Sequence, residues 1–205
     1  MNEEEFYVRF SKQYLYDKHE NQYLDCSSVV AIDAEANDLA IRLSSQITFS
    51  KNILAFAGTF VELHQLPATV RHAFVVANSA DGTEDASKDC VLQAVENLKK
   101  EGIHFSCFLI EPFLFMDEVG FLQYPQGLLK TITSSLLKDT KCLTIVDESR
   151  TGLGRLGTGM WAFTDIGILP DLVVVGVILG NGFPLSAVLT SRQIAAAVPK
   201  YYSTV

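Results

Sequence analysis

Six short apolar runs without polar alternation, separated by segments of helical periodicity, constrain the fold of this 205-residue chain more than any other feature. The runs fall at residues 53–56, 73–77, 105–110, 142–146, 172–175 and 187–190. A strand with one wet face alternates apolar and polar residues. A run that is apolar throughout must be covered on both faces. Between the runs, residues 35–46 place Ala36, Leu39, Ala40 and Leu43 on one helical face, and residues 83–100 turn Val91, Val95 and Leu98 inward with Gly102 just past the end. Residues 127–138 repeat the pattern with Leu129, Ile132, Leu136 and Leu137. The expected fold is therefore α/β, a mainly parallel sheet flanked by helices. Ligands bind at the carboxyl ends of the strands of such sheets, so the loops after Val146 and Val175 are where chemistry is expected.

The first residues differ. Residues 14–26, YLYDKHENQYLDC, alternate aromatic and polar residues around a turn-like centre and predict a hairpin. The expected organisation is an N-terminal hairpin arm over 1–26 and one domain over 27–205.

Charge and cysteine usage narrow the function classes. The formal net charge of −8 argues against a nucleic-acid partner, and no apolar stretch is long enough for membrane insertion. Cys26, Cys90, Cys107 and Cys142 form no CxxC pair and are expected as buried thiols in a reducing compartment. The acidic start MNEEEFYVRF lacks a secretory h-region or an Arg-rich transit pattern. The expectation is a cytoplasmic or mitochondrial-matrix protein that is not secreted. His19, His64, His72 and His104 have no metal spacing, so no metal site is expected. The glycines at 152, 154, 157 and 159 fit neither GxxxxGK[ST] nor GxGxxG after a strand.

Three stretches together resemble class III aminotransferases, which depend on pyridoxal phosphate (PLP): QYLYDKHENQYLDC, AEANDLAIRL, and the pair IVDESRTGLGRLGTGMWAF and LPDLVVVGVILGNGFPLSAVLTS. They resemble in particular the branch containing alanine–glyoxylate aminotransferase 2 and ethanolamine-phosphate phospho-lyase. The resemblance implies the large domain of the fold-type I PLP-transferase fold. It also implies a shortened large domain with the small C-terminal domain absent, because the chain stops at YYSTV.

The resemblance assigns site positions residue by residue. Asp147 stands at the position of the carboxylate that pairs with the protonated pyridine nitrogen. Val177, after Gly176, stands where the family has the Schiff-base lysine, and a valine has no amine to offer. The phosphate cradle Ser-Gly-Ser/Thr-Glu-Ala is replaced by Ile32-Asp33-Ala34-Glu35-Ala36. Ala34 removes a hydroxyl, and Asp33 places a carboxylate where phosphate would lie. Two such charges about 4 Å apart repel by about 4 kcal/mol at an effective dielectric near 20. Phe60 matches the aromatic against the ring, Arg150 replaces a glutamine near it, and Thr204 matches a threonine that reaches a neighbouring subunit's phosphate. Asp147, Phe60, Ala34 and Thr204 are thus the vestigial cofactor positions.

With no catalytic residue at 177, no cofactor is expected to bind; PLP is implied by family resemblance only. The expected function is a degenerate, non-catalytic homologue acting as a structural or interaction subunit of a larger assembly, with a protein partner or an oligomer. Two alternatives remain: a PLP-dependent transaminase or phospho-lyase, and a non-catalytic small-ligand sensor.

Overall fold

The computed structural model describes residues 9–11, 14–16, 22–24, 33–56, 72–76, 84–116, 120–122, 124, 127–136, 140–181 and 183–196. Three short strands open it: β1 (Arg9–Ser11), β2 (Tyr14–Tyr16) and β3 (Gln22–Leu24). They pair antiparallel in sequence order, with Tyr14 opposite Leu24. The expected hairpin is therefore present as β2–β3, with β1 added at its edge.

The main elements follow as α1 (Asp33–Thr48), β4 (Asn52–Phe56), β5 (His72–Val76), α2 (Glu84–Lys100) and β6 (Cys107–Ile110). A small antiparallel hairpin, β7 (Leu114–Met116) and β8 (Gly120–Leu122), comes next. It is followed by α3 (Leu128–Thr131), which runs into a π-helical turn, Ile132–Leu136. The last elements are β9 (Leu143–Asp147), α4 (Ala162–Ile166), β10 (Leu172–Val175), a 3₁₀ turn over Val177–Gly180, β11 (Ala187–Thr190) and α5 (Arg192–Ala196).

Six strands form one sheet in the order β11-β10-β9-β6-β4-β5. The four pairings from β10 to β5 are parallel, and only the edge strand β11 is antiparallel. The pleat sends alternate residues to opposite faces. Ile53, Ala55, Cys107, Leu109, Ile145, Leu172 and Val174 pack with Ala36, Ala40, Ile41 and Leu43 of α1. Their neighbours Leu54, Phe56, Phe108, Ile110 and Val146 pack with Val91 and Val95 of α2 and with Leu128, Leu129 and Ile132. Both faces are dry, which is why β4, β6 and β10 are buried at nearly every position.

The structure moves some sequence boundaries. The expected strand from 105 starts at Cys107, because Phe105 and Ser106 bend into the loop and Ser106 N–H donates to Asn52 O at 2.7 Å. The helix expected over 127–138 keeps one α turn and then widens. Thr133 and Ser134 hydroxyls donate back to the carbonyls of Leu129 and Lys130, competing with the regular ladder. Cys107 and Cys142 are free and buried, as expected; burial pushes the Cys107 thiol up to about 12 and the Cys142 thiol upward as well. Among the described residues no helix is long and apolar enough to cross a membrane, and no His/Cys/Asp/Glu group is placed to hold a metal ion.

Candidate active site

The carboxyl end of β9 carries two adjacent acids, and the pleat points them to opposite faces. Asp147 has the parity of Ile145 and faces α1. Its Oδ2 accepts from Asn37 Nδ2 at 2.7 Å, a contact spanning 110 residues of chain, and its Oδ1 accepts from Ser149 N–H at 2.9 Å. Asn37 lies in the second turn of α1, so the helix presents an amide donor to the carboxylate. Two donors hold the carboxylate in one orientation.

Two polar atoms beside it, Asn37 Oδ1 and Ser149 Oγ, are buried without a hydrogen-bond partner among the described residues. Native proteins rarely leave such atoms unpaired, so the site has polar capacity for a ligand or water.

Glu148 has the parity of Val146 and turns to the other face. It is fully buried. Its Oε2 accepts from Thr151 Oγ1 at 2.5 Å and its Oε1 from Phe163 N–H at 2.8 Å. Glu148 N–H donates to Val174 O, and its carbonyl accepts from Gly152 N–H at 2.9 Å. Burial raises the Glu148 carboxyl pKa above the usual range; the hydrogen bonds from Thr151 and the α4 amides oppose that rise, and Asp147 adds to it. Glu148 thus ties β9, the glycine-rich turn and the first turn of α4 together.

Gly152 sits where that turn leaves no room for a side chain. A Cβ there would lie 3.0 Å from Glu148 O and 3.0 Å from Trp161 Cζ3. Gly152→Ala is expected to cost about 1–3 kcal/mol by forcing the indole or the Glu148 backbone aside. Chemical denaturation checks this; an unchanged midpoint would mean that the turn is looser than the packing shows.

Asp171 fixes the neighbouring strand. Its Oδ2 accepts from Thr144 N–H at 2.8 Å, its own N–H donates to Thr144 O, and its carbonyl accepts from Thr190 Oγ1. These bonds set the register in which Val174 faces Asp147. Beyond β10 the backbone tightens into the 3₁₀ turn that begins at Val177.

The positions expected from sequence are placed unevenly. Asp147 is at the strand end, with Asn37 and Ser149 as partners that sequence reading missed. Ala34 lies in the first turn of α1 and Val177 opens the 3₁₀ turn, but their side chains fall outside the described ones. Phe60 and Thr204 lie outside the described residues. Arg150 is half-buried in the turn after Ser149.

Residues 51–203 match the family model for class-III aminotransferases. The chain belongs to this family. It is similar to human mitochondrial alanine–glyoxylate aminotransferase 2, 40% identical over 93 residues that cover 45% of this chain and 18% of that protein. It is 32% identical over 183 residues to glutamate-1-semialdehyde 2,1-aminomutase of Ignicoccus hospitalis, covering 83% of this chain and 42% of the relative. Among solved structures, acetylornithine aminotransferase from Elizabethkingia anophelis aligns at a TM-score of 0.62 with 25% identity, covering 84% of this chain and 41% of that one. An Arthrobacter phospholyase in complex with phosphoethanolamine shares the fold at a TM-score of 0.63 and 21% identity, covering 96% of this chain and 63% of that one. The chain spans less than half the length of the curated relatives it matches. The fold is that of fold-type I PLP transferases, as the sequence resemblance implied.

PLP fits this site in one respect and fails in another. An oriented carboxylate at the end of β9, with unpaired polar atoms beside it, suits a protonated ring nitrogen. Val177, where the sequence resemblance expects the amine, has no nucleophilic nitrogen. The chain's own residues therefore provide no covalent anchor at that position.

Proposed function

We propose that the chain is a non-catalytic member of the class III aminotransferase family that serves as a structural or interaction subunit. Val177 in place of an amine carries this reading. The proton transfers of a transaminase need a base at the substrate carbon, and general acid–base catalysis alone is worth about 100- to 10,000-fold. The change in the cradle segment, Asp33-Ala34, points the same way, since a carboxylate there opposes a phosphate. The surface supports the interaction role. Leu179, Leu185 and Leu189 are exposed and Phe183 is 78% exposed, all close in sequence to the altered position. Exposed apolar residues grouped in this way favour a protein partner or a second copy over a bare surface.

The test is amino-group transfer. The purified chain is incubated with PLP, a panel of amino donors and a 2-oxo acid, and the products are followed by mass. No turnover above that of free PLP is expected; turnover well above it overturns the reading. For the interaction role, the native protein is expected to run in a complex larger than one chain, and a stable monomer in its native extract counts against it.

A second reading, a sensor that binds a ligand without chemistry, is favoured by Asp147, Asn37 and the unpaired atoms beside them. It requires the thermal midpoint to rise with PLP, pyridoxamine phosphate or an amino acid. No shift with any of them removes it.

A further inference from the structure

The most exposed large apolar residues among the described ones are Phe49 and Leu169, each 90% exposed. Both lie at the amino ends of the strands, the opposite end of the sheet from Asp147. Phe49 precedes β4, His104 precedes β6, Lys141 precedes β9 and Leu169 precedes β10. Those four strands are parallel neighbours in that order, so the four residues form a row along one end of the sheet.

Phe49 is also strained. It follows the end of α1 with φ 59° and its N–H donates to Ser45 O at 3.0 Å. That left-handed position is normally filled by glycine or asparagine. A bulky residue that is both strained and exposed calls for a reason outside the fold. The backbone around it is held in place. Ser50 Oγ donates to His104 O at 2.6 Å and Asn52 Nδ2 donates to the same carbonyl at 3.0 Å, which ties the loop ahead of β6 to the start of β4.

Two concavities run along the row. One of about 550 Å³ has Phe49, Ile103 and Phe105 as its apolar wall. The other, of about 450 Å³, has Ile168 and Leu169. Lys141 lines both, so they adjoin at its side chain. Lys51, Lys100, Lys130 and Lys141 are exposed around them, and the acids on this end are Glu101 and Asp171. Asp171 Oδ2 already accepts from Thr144 N–H. The balance here is basic in a chain that carries −8. Lys99 is engaged within the chain and plays no part.

The dimensions select the shape of an occupant. From β4 to β10 is three strand spacings, about 14 Å, which an extended chain covers in about four residue steps. Alternate residues of an extended chain share a face, so the first, third and fifth side chains of such a segment point at the row. A lipid surface would meet protruding side chains on a convex face. Adjoining concavities between the two apolar residues suit side chains of a protein instead.

We propose that this end of the sheet docks an extended segment of another protein in which an Asp or Glu lies two residues from a large apolar side chain on either side. The acid meets Lys141, and the apolar groups enter beside Phe49 and Leu169. The strain at Phe49 is retained because its ring walls the first concavity. This face is separate from Asp147 and from the Leu179–Leu189 surface, so its failure leaves the function proposed above standing, and a lack of transaminase activity says nothing about it.

Fluorescence titration of the full chain with pooled synthetic pentapeptides tests it. The first and fifth positions are Leu, Ile, Phe or Trp, the third is Asp or Glu, and the others are varied polar residues. Saturable binding with a Kd below about 100 μM is expected from the best members. Pools with Ser or Lys at the third position are expected to bind at least about tenfold more weakly, as is Lys141→Glu with the acidic pool. Phe49→Ser with Leu169→Ser is expected to abolish binding. Phe49→Gly separates strain from docking: the thermal midpoint rises while binding weakens. Amide shifts are expected at Phe49, Ser50, His104 and Lys141 and not at Asn37, Asp147 or Phe183. The proposal is overturned by an acidic pool with no Kd below about 1 mM, by equal binding of the Ser pool, by a Lys141→Glu chain that binds as the parent does, or by shifts centred on Asp147 or Phe183. Two further results overturn it by naming another occupant. One is sedimentation with phosphatidylserine vesicles that Phe49→Ser with Leu169→Ser removes. The other is a concentration-dependent dimer that the same pair dissociates.

Discussion

Phe108→Ala is expected to lower the unfolding free energy by about 3–5 kcal/mol. Phe108 sits in β6, between β4 and β9, and is 1% exposed. Its ring meets Phe56 with centroids 5.7 Å apart at 53°. Phe56 in turn meets the buried Tyr124 at 4.7 Å, so the three rings form one connected row under the sheet. Alanine removes the largest member of the central strand and leaves a cavity that the flanking strands cannot close without breaking parallel pairings. Single domains have roughly 5–15 kcal/mol of stability, so this loss decides whether the chain folds at 37 °C. Urea unfolding followed by circular dichroism reads it. A loss under about 1 kcal/mol would place Phe108 outside a close-packed core.

The second large effect lies at Glu148. Glu148→Ala is expected to cost about 2–4 kcal/mol, because the buried Thr151 hydroxyl and the Phe163 N–H both lose their acceptor. The opposing effect is relief from burying a carboxylate, which makes the neutral isostere Glu148→Gln informative. The direction with pH is fixed. Burial raises the folded-state pKa of Glu148 above its unfolded value near 4.5, so the native state holds a proton that the unfolded state releases. The stability contributed by the protonated acid is complete below that unfolded pKa and is lost as pH rises through the folded one. Glu148→Gln is therefore expected to flatten the decline of stability with pH above about 4.5. Denaturation midpoints of both proteins across pH 4–8 check this; parallel curves would mean that Glu148 titrates as it does in the unfolded chain.

Much of this fold is legible in the sequence, for reasons that differ between elements. β10 and β11 coincide with the apolar runs at 172–175 and 187–190, and Pro170-Asp171 and Gly176 punctuate the first of them. The strand expected at 105 begins two residues later because a tertiary hydrogen bond to Asn52, far away in sequence, redirects Phe105 and Ser106. The π-helical turn after α3 depends on hydroxyls that helical periodicity ignores. The β7–β8 hairpin, three residues per strand, has no alternation long enough to read.

The site was legible in its type of residue and hidden in its partners. Asp147 stands out at the end of an apolar strand, but Asn37 is 110 residues away and looks like any polar helix residue. Glu148 follows Asp147 directly in the sequence, which alone gives it no role. The pleat assigns it the opposite face and a structural task, an inference that needs the strand to be placed before the pair is read. The strain at Phe49 leaves no trace in sequence, since a phenylalanine after a helix can adopt many backbone angles.

On the function proposed above, Asp147 stands as the carboxylate of an aminotransferase site and Val177 leaves that site without its amine. The direct measurement is borohydride reduction after saturation with PLP, followed by peptide mass mapping. The account predicts no stoichiometric phosphopyridoxyl adduct at any single lysine. One adduct per chain, confined to one lysine, would contradict it.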